Sequence, residues 1–231
     1  MIKVIFLDID NTLFSFSGYV KQTMKEGFAH FNLKPYEDYM YPIFERINNG
    51  LWRQIEEGTL TFDELQKIRW NKIFKELEIE YDGVVFEEYF RKQLFYSAIP
   101  EPGAIDLVKY LNKKYTLCVA SNGPHEQQIN RLRIGKLYDY ITYFFTSERL
   151  GVQKPSSEFF EACFEELRND KFPDLLPGEV MIIGDSVTAD IAGGKQMGIH
   201  TCLYTCGKKY PNGVQEADYI VDSLNAIKEI L

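Results

Sequence analysis

Five short apolar runs recur along the chain and stop abruptly at acidic or turn-forming residues: IKVIFL (2–7), YTLCVA (115–120), ITYFFT (141–146), EVMIIG (179–184) and HTCLYT (200–205). Bounded by turn chemistry in this way, they read as strands buried on both faces. From about residue 98 onward the segments between the runs read as helices. Ile105, Leu107, Val108 and Leu111 share the inner face of one that begins at the Pro102–Gly103 step. Another begins near Pro155, a residue suited to the first helical turn, and offers Phe159, Phe160, Cys163, Phe164 and Leu167 for burial. Alternating helices and strands predict an α/β fold, a Rossmann-like, doubly wound parallel sheet.

Residues 15–97 follow a different rule. They hold no convincing buried strand but several helical patterns, among them TFDELQKIRWNKIFKEL, where Thr61 and Glu64 fit a capping box and Leu65, Ile68, Ile73, Phe74 and Leu77 form an apolar face. The expected organisation is a core domain over residues 1–14 and 98–231, interrupted by an all-helical cap over residues 15–97. With 231 residues, the chain is long enough for such a core and insertion. Aromatic residues reach 15%, and in the cap most of them read as packing.

Composition narrows the classes of function. A hydrophobic content of 45% is that of a globular chain, not a disordered one. A net charge of -8 with a pI of about 5.1 argues against a nucleic-acid polymer or an anionic membrane as partner. Nothing approaches the roughly 18 apolar residues of a bilayer span, so the expected location is cytoplasmic. Cys118, Cys163, Cys202 and Cys206 show no paired metal spacing, and the lone C-x3-C of Cys202 and Cys206 reads as thiols in a reducing compartment.

In an open parallel sheet, ligands gather at the carboxyl ends of the strands. Asp8 and Asp10 follow the first run, Ser121, Asn122 and Gly123 the second, a loop reaching Lys154 the third, and Asp185, Ser186 and Asp190 the fourth. Two carboxylates about 4 Å apart repel by roughly 4 kcal/mol at an effective dielectric of about 20. Four carboxylates against one ammonium leave a deficit that a hard divalent cation would fill, and an all-oxygen donor set points to Mg2+. Such a cation with a lysine, a hydroxyl and backbone N–H groups is suited to a phosphoryl group. Each of these residues alone would pass for a turn, capping or surface residue; their joint arrival at four strand ends is what turns turn residues into a site.

In these motifs the chain resembles the haloacid dehalogenase superfamily of phosphatases: DIDNT (8–12) is similar to its first motif, Ser121 in VASNG to its second, Lys154 in QKP to its third and GDSVTAD (184–190) to its fourth. The resemblance implies that Asp8 is the nucleophile, forming an aspartyl-phosphate, and that Asp10 protonates the leaving alcohol and later takes a proton from water. It further implies that Ser121 and the backbone amide of Asn122, beside Gly123, hold phosphate oxygens. Lys154 would bridge Asp8 and phosphate. Asp8, the main-chain carbonyl of Asp10 and Asp185 would bind Mg2+, with Asp190 orienting Lys154 or a metal-bound water. The cap segment 48–70 resembles the pyrimidine 5'-nucleotidase branch, which implies a nucleoside monophosphate, a small-molecule phosphate ester, as substrate.

Some residues keep two readings. Trp52 could stack on a base or belong to the cap core; Arg53 could hold a sugar or phosphate, or be a surface charge. Phe14 and Phe16 could shape the leaving-group pocket or pack the hinge. His30, His125 and His200 need no catalytic role. The same core would serve a sugar-phosphate phosphatase or a phosphomutase; a receiver-type phospho-accepting module is disfavoured by the helical insertion, and a dehalogenase by Asp10, an acid that a halide leaving group does not need.

Overall fold

The computed structural model describes residues 1–208 and 216–231. In chain order the strands and helices are β1 (Val4–Leu7), α1 (Phe16–His30), α2 (Met40–Glu56), α3 (Phe62–Glu76), α4 (Gly83–Phe95), α5 (Ala104–Leu111), β2 (Thr116–Ser121), α6 (His125–Ile134), β3 (Tyr143–Thr146), α7 (Ser147–Leu150), α8 (Ser157–Asp170), β4 (Val180–Gly184), α9 (Gly193–Gln196), β5 (His200–Tyr204), β6 (Tyr219–Val221) and α10 (Ile227–Ile230). A π-helical turn, Val187–Ala192, links β4 to α9. The chain divides into two units, Met1–Ser15 with Ala98–Leu231, and Phe16–Ser97.

In the first unit the six strands form one parallel sheet in the order β3-β2-β1-β4-β5-β6. Strand β1 is central: Val4 pairs with Thr116 on one side and with Val180 on the other. The apolar runs bury both faces by simple alternation. Val4, Phe6, Cys118, Ala120, Val180 and Ile182 face α8, whose Phe159, Phe160, Cys163, Phe164 and Leu167 are buried against them. Ile5, Leu7, Leu117, Val119, Met181 and Ile183 face the other way, toward Leu107, Val108 and Leu111 of α5 and Leu132 of α6. Helices on both faces leave only the strand ends open to chemistry.

Two details differ from the sequence reading. Ser156 is the N-cap of α8, its hydroxyl accepting from the Glu158 N–H, so Pro155 lies just outside the helix and not in its first turn. A sixth strand, β6, extends the sheet; its Tyr219 and Ile220 are exposed and only Val221 is buried, so it presents no apolar run to recognise.

The second unit is four helices around an aromatic core. Trp70 is fully buried, 4.4 Å from Phe86 and 5.2 Å from Phe90 between ring centroids, and Phe28 packs 5.6 Å from Phe86. The Thr61–Glu64 capping box opens α3. Beside the rings a buried Arg69 donates to both oxygens of Glu87 (3.0 and 2.5 Å) and to Asn48 Oδ1 (3.1 Å). These polar groups satisfy one another, as burial requires. No helix among the described residues is long and apolar enough to cross a membrane.

Candidate active site

The turn that follows β1 is made by the backbone. Asp8 N–H donates to Ile183 O (3.0 Å), continuing the ladder with β4, while the N–H groups of Leu13 and Phe14 both converge on Ile9 O at 2.9 Å. Asn11 takes the left-handed conformation (φ 58), which asparagine tolerates better than most residues. The result is that Asp8 is almost enclosed, at 8% exposure, while the Asp10 side chain keeps 32% of its surface open. Ser121 closes β2, and Asp185 follows the last residue of β4.

Lys154 lies at the centre. Its Nζ donates to Asp8 Oδ1 (3.0 Å), Asp190 Oδ1 (2.5 Å) and the Ala120 carbonyl (2.6 Å), which uses all three ammonium hydrogens. A phosphoryl oxygen would have to share one of these bonds. Burial works against the ammonium charge, but Asp190 and Asp8 outweigh it and hold its pKa above the usual lysine range. Asn122 fixes the loop that delivers Lys154: its Nδ2 donates to Lys154 O (2.8 Å) and its Oδ1 accepts from Lys154 N–H (2.9 Å). The Asn122 side chain is thus a clamp on the lysine, a role the sequence reading did not give it.

Both oxygens of Asp190 are engaged, Oδ1 by Lys154 and Oδ2 by the Ser186 N–H (3.0 Å). This approach depends on Gly184, where a Cβ would stand 2.1 Å from Asp190 Oδ2.

Three polar residues missed by the sequence reading complete the site. Arg131 NH1 donates to Asp10 Oδ1 (2.8 Å), Gln128 Nε2 to Asp10 Oδ2 (3.1 Å) and to Ser121 Oγ (2.9 Å), and Lys208 Nζ to Asp185 Oδ2 (3.2 Å). The sequence count of one ammonium against four carboxylates is therefore revised: Arg131 and Lys208 join Lys154 beside Asp8, Asp10, Asp185 and Asp190. The available signal was the buried face of α6, where Gln128 and Arg131 interleave with Ile129 and Leu132; the sequence reading gave neither a role.

A divalent cation fits this donor set. Asp8, Asp185 and Asp190 each offer a carboxylate oxygen within 4.8 Å of the others. Burial raises the Asp8 carboxyl well above its usual range, opposed by Lys154 and reinforced by Asp190, Asp185 and Asp10. Burial likewise pushes Asp185 up to about 6, against Lys208. Carboxyls that resist ionising while crowded together gain most from an added positive charge. Since Asp190 is tied to Lys154 and Ser186, Asp8 and Asp185 are the better-placed ligands.

Most of the other candidates lie in packing. Trp52 is half-buried against Phe62 (5.8 Å between centroids) beside Leu51, Ile55 and Leu65 of the helical unit, and Arg53 is exposed. Phe14 is fully buried under the Arg131 guanidinium, 5.5 Å from its ring centroid, and Phe16 packs on Tyr19 at 5.8 Å. His125 is the first residue of α6, its Nδ1 3.0 Å from Thr146 Oγ1. Cys202 is buried in β5, where burial pushes its thiol up to about 12, which opposes a thiolate ligand.

Comparison with known proteins finds relatives over most of the chain. YfnB of Bacillus subtilis, a HAD-hydrolase, is 34% identical over 200 residues, covering 87% of this chain and 83% of YfnB. Its crystal structure bound to magnesium superposes with a TM-score of 0.89 at 32% identity, over 100% of this chain and 98% of that one. The pyrimidine 5'-nucleotidase PynA of Streptococcus pneumoniae is 31% identical over 208 residues (87% of this chain, 83% of PynA), and the pyrimidine 5'-nucleotidase YjjG of Escherichia coli 28% over 230 residues (98% and 96%). The family model for haloacid dehalogenase-like hydrolases matches residues 2–198, from β1 past the π-helical turn, and to that family the chain belongs.

Proposed function

We propose that the chain is a Mg2+-dependent phosphomonoesterase that hydrolyses nucleoside monophosphates, pyrimidine nucleotides first among them, through an aspartyl-phosphate on Asp8. The observation that carries the reading is the Lys154 ammonium set between Asp8 and Asp190, with Asp185 within carboxylate reach of both. The nucleotide class is supported by the similarity to PynA and YjjG.

An Asp8 oxygen attacks phosphorus as the bond from phosphorus to the alcohol oxygen breaks, and Asp10 supplies the proton that the alcohol carries away. Asp10, now ionised, takes a proton from water; the water oxygen attacks phosphorus, returning the Asp8 carboxylate and releasing inorganic phosphate. Lys154 opposes the burial that raises the Asp8 carboxyl and so favours its ionised, attacking form. Ser121 and the backbone amides of Asn122 and Gly123 hold phosphoryl oxygens. Asp8, the Asp10 carbonyl and Asp185 would hold Mg2+, which when bound neutralises charge on the phosphoryl oxygens. In the helical unit, Trp52 and Arg53 are proposed to contact the nucleoside.

The substrate is a small phosphate ester, and the location proposed is the cytoplasm, in keeping with four free thiols. Release of inorganic phosphate from a panel of nucleotides and sugar phosphates, with and without EDTA, tests the reading. Turnover should need the divalent cation and favour pyrimidine nucleotides. A preference for sugar phosphates would remove the nucleotide assignment, and no release from any ester would remove the chemistry.

A further inference from the structure

Helix α6 buries two polar side chains: Gln128 and Arg131 are each 1% exposed. Three residues apart, they stand one above the other on the same face. Arg131 NH1 donates to Asp10 Oδ1 and to Gln128 Oε1, both at 2.8 Å. Gln128 Nε2 in turn donates to Asp10 Oδ2 at 3.1 Å and to Ser121 Oγ at 2.9 Å. A guanidinium can only donate, so the carboxamide must turn its oxygen to Arg131 and its nitrogen to Asp10 and Ser121. The ring closes with one donor on each oxygen of Asp10.

Arg131 is itself fixed. Its guanidinium lies over the Phe14 ring, and Gly135, next after α6, lets that ring in, since a Cβ there would stand 2.4 Å from it. An ion pair that served packing alone would be enclosed on both sides, as Arg69–Glu87 is. Here a fully enclosed cation grips a carboxylate that is one-third open to solvent. The rigid side is the inner one, and the open side is where a substrate oxygen would come.

We infer that Arg131 and Gln128 are positioning residues for the reaction. They aim the Asp10 carboxyl at the leaving-group oxygen and, through the Gln128 amide, lock its orientation to the Ser121 hydroxyl that holds the phosphoryl group. The inference rests on the proposed aspartyl-phosphate chemistry.

The test compares benzyl phosphate, whose alkoxide leaves poorly without a proton, with p-nitrophenyl phosphate, whose phenolate leaves readily. Arg131→Met should lower kcat/KM for the benzyl ester by about 10- to 100-fold, as expected for a misplaced catalytic group, and for the p-nitrophenyl ester by no more than about 3-fold. Gln128→Met, which also frees the Ser121 hydroxyl, should lower both, the benzyl ester by about 10-fold more. In an Asp10→Asn background Arg131→Met should cost nothing more, and Gln128→Met should cost both esters equally through Ser121, because there is no acid left to aim. Equal losses on both esters, losses that persist undiminished without Asp10, or no loss at all would each overturn the inference. Thermal melting checks folding, and should Arg131→Met fail to fold, Gln128→Met decides by the same comparison. Failure of the underlying chemistry looks different: wild type inactive on both esters, or Asp10→Asn itself blind to the leaving group.

Discussion

Lys154 Nζ lies 2.5 Å from Asp190 Oδ1, and both side chains are only 1% exposed. A pair so enclosed is worth little against a well-packed apolar replacement, but breaking it leaves a bare charge in the interior. Lys154→Met strands Asp8 and Asp190 together, and should cost about 3–5 kcal/mol of stability at neutral pH along with all turnover. Urea unfolding measures the first and phosphate release the second; a loss below about 1 kcal/mol would show that the pair is not the keystone it is taken for here.

The nucleophile offers a cleaner contrast. Asp8→Asn keeps the shape and removes both the attacking oxygen and a carboxylate that burial disfavours. Turnover should vanish while the melting temperature at neutral pH holds or rises. Turnover at a near-normal rate would exclude Asp8 as the residue that captures phosphorus.

The acidity of Asp185 sets a pH dependence. Its carboxyl sits at about 6 in the folded chain against 3.8 for an ordinary aspartate, so between those values the folded chain holds a proton that the unfolded chain has lost. Its contribution to metal-free stability is full below the lower value and is lost as pH rises through about 6. Mg2+ needs the ionised form, so its stabilising effect should run the other way. Thermal melts should show a larger Mg2+-induced rise at about pH 7.5 than at about pH 5, and Asp185→Asn should flatten that difference. Equal Mg2+ effects at both values would remove Asp185 from the metal site.

Gly184 tests the close approach of β4 to Asp190. A methyl group there would stand 2.1 Å from Asp190 Oδ2, and the carboxylate cannot retreat without losing Lys154 or the Ser186 N–H. Gly184→Ala should cost about 1–3 kcal/mol, the range for overpacking a filled site, and should lower kcat more than KM. Chemical denaturation with steady-state kinetics checks both; unchanged kcat would mean that Asp190 has room to move.

In the helical unit, Arg69→Met should cost about 3–5 kcal/mol by leaving Glu87 buried and unpaired, and Glu87→Leu added to it should restore most of the loss. A double variant as unstable as the single one would show that the pair is irreplaceable in register as well as in charge.

The parts of this molecule that could be read from sequence are those where one residue's fate is fixed by its neighbours in the chain. Asp8, Ser121 and Asp185 each sit at or just past the end of an apolar run, so predicting the strand places the side chain. The Thr61–Glu64 cap is local in the same sense. Gln128 and Arg131 are different: nothing within α6 says whether they meet water or Asp10, more than a hundred positions earlier. The clamp of Asn122 on Lys154 and the third cation, Lys208, are long-range in the same way. Strand β6 escaped because its pairing to β5, and not any apolar pattern of its own, makes it a strand.

The central place of β1 bears on how the chain comes off the ribosome. Residue 4 finds one neighbour at residue 116 and the other at residue 180. At about 5–20 residues per second of synthesis, the stretch leading to the nucleophile therefore waits roughly 10–35 s for its second hydrogen-bonding neighbour. Before that interval ends the helical segment 16–97 is complete in sequence, whereas the catalytic edge does not yet exist. Nascent chains cut short before residue 180 should be able to build the insertion but not the pocket, and their greasy leading strand is the part most in need of a chaperone's shelter.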